Sequence, residues 1–546
     1  MNPAGERTAV SALASLRQRL RPRDLPGPIG RGLALAGIGF AADGGRAEQR
    51  WHQALAVLAG CVRPVGDAAQ PILTEGGDYP GSWIESTGTI STEVLDRFAP
   101  KVSRHTHRQF ARWRRADGLM PYKLTDGGPG YAQIQIVTPL ARSVWKHYRL
   151  TGASMAYLRT MYDAMAAMDG WLATHRDTGG SGGVEAFCTF DTGHDLSPRF
   201  WYAPDRCLGG NAASFDPSYP DLPYIAPDLT ANVACQRQYL GLIAAELGQD
   251  PTPWRHASQS SSTALWSQCF DQADEFFYDR GADGRLHRVQ SDVLARVLAC
   301  EVGDEAFFAR ALQGYLMSTA KFLSPAGWTS LALDDPRFDR DYQRNSWGGP
   351  VNFLTLLRAP EAFERHGHVA ELATVERSVL AAVLASDRFP QCLDPWSGAP
   401  GFGDDYSPAS LWLLDAIERN CGVQPRPNGQ IWLTGLPPTR LDHGQSVSRT
   451  GYARVIAGVR YELVADDDWV TVYADTHPWL SFPTGWRVVV ESGRPRMVVG
   501  LRPGSTSGQL RADDMSWSLD LPANHTAELA EAGRWTVRPL DYIGPH

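Results

Sequence analysis

Apolar positions recur at spacings of three and four through most of the chain, the pattern of helices that bury one face. Met155, Leu158, Tyr162, Met165, Met168 and Leu172 form one such stripe. Leu229, Val233, Leu240, Ile243 and Leu247 form a second, and Leu372, Val375, Val379 and Val383 a third. From residue 46 to 423 the pattern predicts roughly eleven or twelve helices, paired and joined by loops of unequal length. After residue 424 the period changes. Tyr461–Val464, Trp469–Tyr473, Arg487–Val490, Arg496–Val499 and Ser516–Leu519 are short β-rich runs separated by turn formers, as in a sandwich.

The first 45 residues are rich in Arg, Pro and Gly and read as an extension or poorly ordered arm. The predicted organisation is therefore an N-terminal extension (1–45), a helical domain (46–423) and a small C-terminal β domain (424–546). At 546 residues the chain exceeds what one core usually supports. Residues 176–228 break the helical pattern with Gly, Pro, Asp and aromatic residues, and a loop this long within a compact domain is expected to be functional.

Composition narrows the partners. A net charge of −8 argues against nucleic acid or an anionic membrane as the main partner. The apolar run Gly32–Phe40 is short for a membrane span and lies late for an export signal. Eight scattered cysteines, at 61, 188, 207, 235, 269, 300, 392 and 421, have no CxxC spacing, so reduced thiols in a cytoplasmic protein are expected. Eighteen Trp residues suit either a large core or stacking on the apolar faces of sugar rings.

The most distinctive chemistry lies in Val184–Trp201. Here Asp191-Thr-Gly-His-Asp195-Leu-Ser-Pro-Arg199 places two acids close together within a Gly- and aromatic-rich loop. Ionising both is unfavourable, so one carboxyl is expected to hold its proton and serve as a general acid. Ser197 and Arg199 are candidates to hold the other. Hydrolysis of a glycoside needs two such carboxyls, one to protonate the leaving oxygen and one to activate water or attack directly.

This segment resembles the Glu-x-Gly-x-Asp-Asn/Asp-Ser-Pro-Arg signature of the family 63 glycoside hydrolases and mannosylglycerate hydrolase-like proteins, of the six-hairpin glycosidase superfamily. Asp191, Gly193, Asp195, Ser197, Pro198 and Arg199 carry the match, and Leu196 departs from the usual polar residue. Asp274–Asp279 with Asp283-Gly284, Asp334–Phe338 and Ser346–Pro350 through Asn352 resemble further family segments in the same order, with Gly348 replacing an Arg. The resemblance spans roughly residues 50–423. It implies an (α/α)6 toroid that hydrolyses an α-glycoside with inversion, and Asp195 as the general acid.

The resemblance weakens at the second carboxyl. The family's base is a Glu in a Pro-Glu-x-Tyr-x-Pro-x-Thr-Gly segment, and the corresponding stretch here, Phe389–Gly398, has Gln391 in that position. Asp404 and Asp405, at a loop-to-helix junction, are the replacement candidates, with capping as their alternative role. Asp394 is a third. Glu85, Gln133 and Gln135 are candidates to bind sugar hydroxyls, and Trp83, Trp201 and Trp347 to stack on the ring.

Metal-binding, phosphate and dinucleotide motifs are absent, so no cofactor is expected. His105-Thr-His107 and His366-Gly-His368 read as surface residues. Cys188 invites comparison with a zinc-bound thiolate, but no matching cysteine cluster is visible in sequence. Two other classes remain open. One is a carbohydrate-binding protein that has lost its base, which Gln391 motivates. The other is a toroid-type polysaccharide lyase, which would need a Tyr or His base.

Overall fold

The computed structural model describes residues 14–438, 447–530 and 533–541. It is helix-rich as far as residue 421 and strand-rich beyond it. The three apolar stripes become the helices Met155–His175, Pro227–Glu246 and Val369–Ala385. Local chemistry sets their limits. Gly152 ends the preceding helix in a left-handed conformation, and the Ser154 side chain then accepts from Tyr157 N to start the next. Pro227 occupies a first helical position, where its missing N–H costs nothing. Asn352 caps Phe353–Arg365 by accepting from Leu354 N.

All five predicted β runs fall within strands. They belong to two antiparallel sheets, one of seven strands and one of six. Val488, Val490 and Val498 of the smaller sheet share a core with Leu463, Val472, Leu480 and Phe482 of the larger.

The N-terminal segment is more ordered than its composition suggests. Residues 1–13 lie outside the described part, but Gly27–Ala36 is a helix and Gly39–Asp43 is an edge strand paired with residues 449–453. Leu16 and Leu20 pack on Ala41, Ala453 and Val464. The Arg/Pro/Gly bias concealed a strand whose partner lies some four hundred residues away. The apolar run at 32–40 is the end of that helix and the start of that strand. Among the described residues no helix is long and apolar enough to cross a membrane.

The histidine expectation is corrected at two positions. His107 is fully buried between Thr92 and Tyr157, and His366 is buried with its Nδ1 2.7 Å from Ala362 O.

Helices and sheet meet at a buried ionic junction. Glu418, on the helix Ser407–Cys421, accepts from Arg97, Arg454 and the Tyr452 hydroxyl. Arg97 also pairs with Asp415, and Arg419 with Glu364. Removing one member leaves buried guanidinium charge uncompensated. Glu418→Gln is expected to lower unfolding stability by about 3–5 kcal/mol, read by urea denaturation, and a change below about 1 kcal/mol would count against this junction as the join.

Candidate active site

A cavity of about 200 Å³ opens among the loops that connect the helices. Asp195, Glu85, Trp83, Gln133, Gln135, Trp347 and Gln391, all predicted from sequence, line it. So do Glu75, Tyr79, Lys123, Arg206, Asn345 and Tyr406, none of them predicted from sequence.

The loop that carries Asp195 is held from beneath. Arg176, at the end of Met155–His175, is fully buried and forks Asp191 through contacts of 2.6 and 3.0 Å. The same guanidinium donates to Glu185 O and Ala212 O, tying three points of the long loop to one helix end. Asp191 also accepts from Ile134 N and Phe187 N. Arg199 forks Asp228 at 2.9 and 3.0 Å and Asp279 at 2.8 and 2.6 Å. Its Nη1 lies 2.8 Å from His194 Nδ1, and His194 Nε2 is 2.8 Å from Asp292 Oδ1. Burial, then Arg296 nearby, lowers His194 to about 3, so the imidazole is neutral.

Asp195 itself differs from these acids. Burial pushes its carboxyl up to about 7, and the facing Glu85 adds to the rise. Asn345 Nδ2 donates to its Oδ2, and its backbone oxygen accepts from Trp347 N at 2.9 Å. The neighbouring acid that raises Asp195 is Glu85 and not the expected Asp191. Asp191 is neutralised by Arg176, and Glu85 is the charge that Asp195 meets.

Glu85 is fixed by Arg358 at 2.7 Å and by Gln135 Nε2 at 2.9 Å. Gly193 makes room for it, since a Cβ there would lie 2.3 Å from Glu85 Oε2. Leu196 and Gln135 have positive φ, and strain of this kind in residues other than glycine clusters at functional sites. Leu196 stands where the family signature has a polar residue that tolerates this conformation better.

Several predicted site residues, Ser197 among them, do not line the cavity. Asp191 and Arg199 are consumed by the ion pairs that hold the loop, and so act on the site from below. Trp201 is 55% exposed outside the cavity. Asp404 and Asp405 are exposed as well, with Asp404 paired to Arg388 at 2.9 Å. Their backbone carbonyls instead press on Gly77 and Gly76, where a Cβ would come within 2.1 and 2.3 Å. The third base candidate, Asp394, is spent on a turn, accepting from Trp396 N and Ser397 N. Trp347 lines the cavity but is only 1% exposed, with Arg296 over its ring at 4.6 Å, so it forms wall and offers no open stacking face.

Glu75 and Tyr79 had a signal in sequence. They stand in Glu75-Gly-Gly-Asp-Tyr79, which runs directly into the Gly- and aromatic-rich segment of Trp83 and Glu85. Among the described residues one trio, Cys188, Asp191 and Cys207, brings metal-ligand atoms within 4.8 Å of one another. Arg176 holds both Asp191 oxygens and lies 3.6 Å from Cys207 Sγ, a cationic setting that opposes a metal ion.

The mannosylglycerate hydrolase MGH1-like glycoside hydrolase domain family matches residues 81–407. The crystal structure of a GH63 mannosylglycerate hydrolase from Thermus thermophilus, in complex with Tris, aligns with 66% of this chain and 98% of its own at 15% identity, with a TM-score of 0.56. A sialidase aligns with 90% of this chain and 45% of its own at 13% identity and a TM-score of 0.62. Neutral trehalase from Saccharomyces cerevisiae aligns with 65% and 76% at 10% identity and a TM-score of 0.50. At these identities the likeness is one of fold. No curated protein matches the sequence.

If Asp191 braces the loop without touching substrate, Asp191→Asn is expected to cost about 3–5 kcal/mol of stability. In denaturant titrations and kinetics on the same preparation, KM should stay within about threefold per folded molecule. A large KM change at unaltered stability would return Asp191 to the binding surface.

Proposed function

We propose that this chain, which belongs to the mannosylglycerate hydrolase MGH1-like glycoside hydrolase family, hydrolyses a small α-linked glycoside with inversion, Asp195 serving as general acid. The observation that carries the reading is the Asp195 carboxyl, raised to about 7, in a cavity lined by amides and aromatic rings. A buried acid of that strength keeps a proton near neutrality and can deliver it to a departing oxygen. The helical region is read as an (α/α)6 toroid, in keeping with its paired helices and with the glycosidase folds it resembles.

The cavity suits a small substrate. Its volume of about 200 Å³ is below the roughly 300–1,000 Å³ of pockets for drug-sized ligands. Gln133, Gln135 and Gln391 supply amide donors and acceptors for ring hydroxyls, and Trp83 a partly open indole face. Lys123 and Arg206 bring positive charge to the wall, Lys123 with its Nζ 5.6 Å from the Trp83 ring centre. These cations favour a sugar linked to a small acid, as the name of the mannosylglycerate hydrolase suggests for that protein. All eight cysteines are buried and unpaired, in keeping with a reducing, cytoplasmic setting.

A second reading, carbohydrate binding without turnover, draws on Gln391, whose amide stands where the family's base would be. The two readings separate on a panel of α-mannosyl and α-glucosyl glycerates, trehalose and aryl α-glycosides. Hydrolysis with the β-anomer appearing first by NMR is the expected outcome. Binding of several compounds with turnover of none would favour the second reading.

The pH dependence follows from the proton that Asp195 must hold. Activity is expected to fall as pH rises through about 7, by about tenfold per unit in kcat/KM. Asp195→Asn should lose about 10²–10⁴-fold in kcat while still binding sugar. Wild-type turnover in that variant would overturn the assignment.

A further inference from the structure

An inverting step needs a second carboxyl, and Gln391, Asp404 and Asp405 do not supply one. Three acids line the cavity: Asp195, Glu85 and Glu75. Glu85 is already committed. Arg358 takes one oxygen and Gln135 the other, and Arg296 lies 3.9 Å away. A carboxylate so held is poorly placed to accept a proton from water.

Glu75 is arranged differently. Its Oε1 accepts from the Ser86 hydroxyl, and among the described residues its Oε2 has no hydrogen-bond partner. Its backbone is held on both sides, N to Gly81 O at 2.9 Å and O to Ser407 N at 2.7 Å. The next two residues, Gly76 and Gly77, pack without side chains against the 404–405 backbone. A group fixed this firmly, with one oxygen uncommitted, meets the positional demand on a catalytic carboxyl.

Its neighbours point the same way. Four residues along the same loop, the Tyr79 hydroxyl donates to Gln391 Oε1 at 2.7 Å. The Glu75 loop therefore borders the position where the family signature carries its base. Glu75 itself precedes the segment that matches the family, so family membership does not assign it.

We infer that Glu75 is the second catalytic carboxyl of this site, the base that replaces the one lost at Gln391. The inference rests on the glycosidase reading of the same cavity. In the step, the Glu75 carboxylate takes a proton from water as the water oxygen bonds to the anomeric carbon. The bond from that carbon to the glycosidic oxygen breaks, and the departing oxygen takes the proton of Asp195. Burial, then Glu85 and Asp195, holds Glu75 well above the usual carboxylate range. Burial raises the Asp195 carboxyl as well, and Glu85 adds to that rise.

The test compares the α-glycoside turned over by the wild type with the α-fluoride of the same sugar, whose leaving group departs without protonation. Asp195→Asn is expected to lose about 10²–10⁴-fold on the glycoside and to stay within about tenfold of wild type on the fluoride. Glu75→Gln should lose about 10²–10⁴-fold in kcat on both, with KM little changed. Undiminished turnover in Glu75→Gln, or a loss confined to the glycoside, would overturn the base role. Gln391→Glu covers the case in which Glu75→Gln fails to fold. A gain of about a hundredfold from that change would show that the wild-type site lacks a base, whereas less than about threefold agrees with Glu75 filling the role. If the wild type turns over no glycoside and no fluoride, the glycosidase reading falls and this inference with it. An active wild type with an unaffected Glu75→Gln sinks this inference alone.

Discussion

The buried pair of Arg176 and Asp191 is the constraint on which the rest of the site depends. Residues 176–228 contain little regular structure, so few of their backbone groups are satisfied by helix or sheet. One guanidinium replaces that missing order by gripping a carboxylate and two distant carbonyls at once. Arg is suited to this because its charge is permanent and its donors form a rigid fork. Such a pair adds little net stability over an apolar contact, but losing either partner is costly. Its effect is to confine the loop to one path.

That arrangement also divides the acids of the site into two electrostatic classes. Asp228 and Asp292 face Arg199 and Arg296 and are held well below the usual carboxylate range. Asp195 and Glu75 lie in the cavity without such a partner, and burial beside other carboxylates drives them the opposite way. Acids a few residues apart thus sit in opposite settings, Asp191 as a strut paired with Arg176 and Asp195 in the cavity without an ion-pair partner among the described residues.

Much of the fold was legible from local pattern. Helix stripes and β runs depend on periodicity within a short window, and burial of one face follows from it. The strand Gly39–Asp43 was hidden because its stabilising partners, residues 449–453, lie at the other end of the chain. Part of the site was legible too. Asp195, Glu85, the three glutamines and Trp83 stand in loops rich in Gly and aromatic residues, where rigid but irregular backbone is required. Asp404 and Asp405 looked equivalent by that criterion, yet their contribution comes through carbonyls that support the Gly76–Gly77 turn.

Sequence alone determined that Asp195 stands within a Gly-x-Asp-x-Ser-Pro-Arg segment and that residue 391 is an amide unable to act as a base. Both are matters of side-chain identity, which folding cannot change. That Glu75 joins Glu85 and Asp195 in the cavity was decided by tertiary structure. Proximity between residues 75 and 195 depends on how the helices stack and on which guanidinium claims which carboxylate, and neither leaves a trace in local spacing.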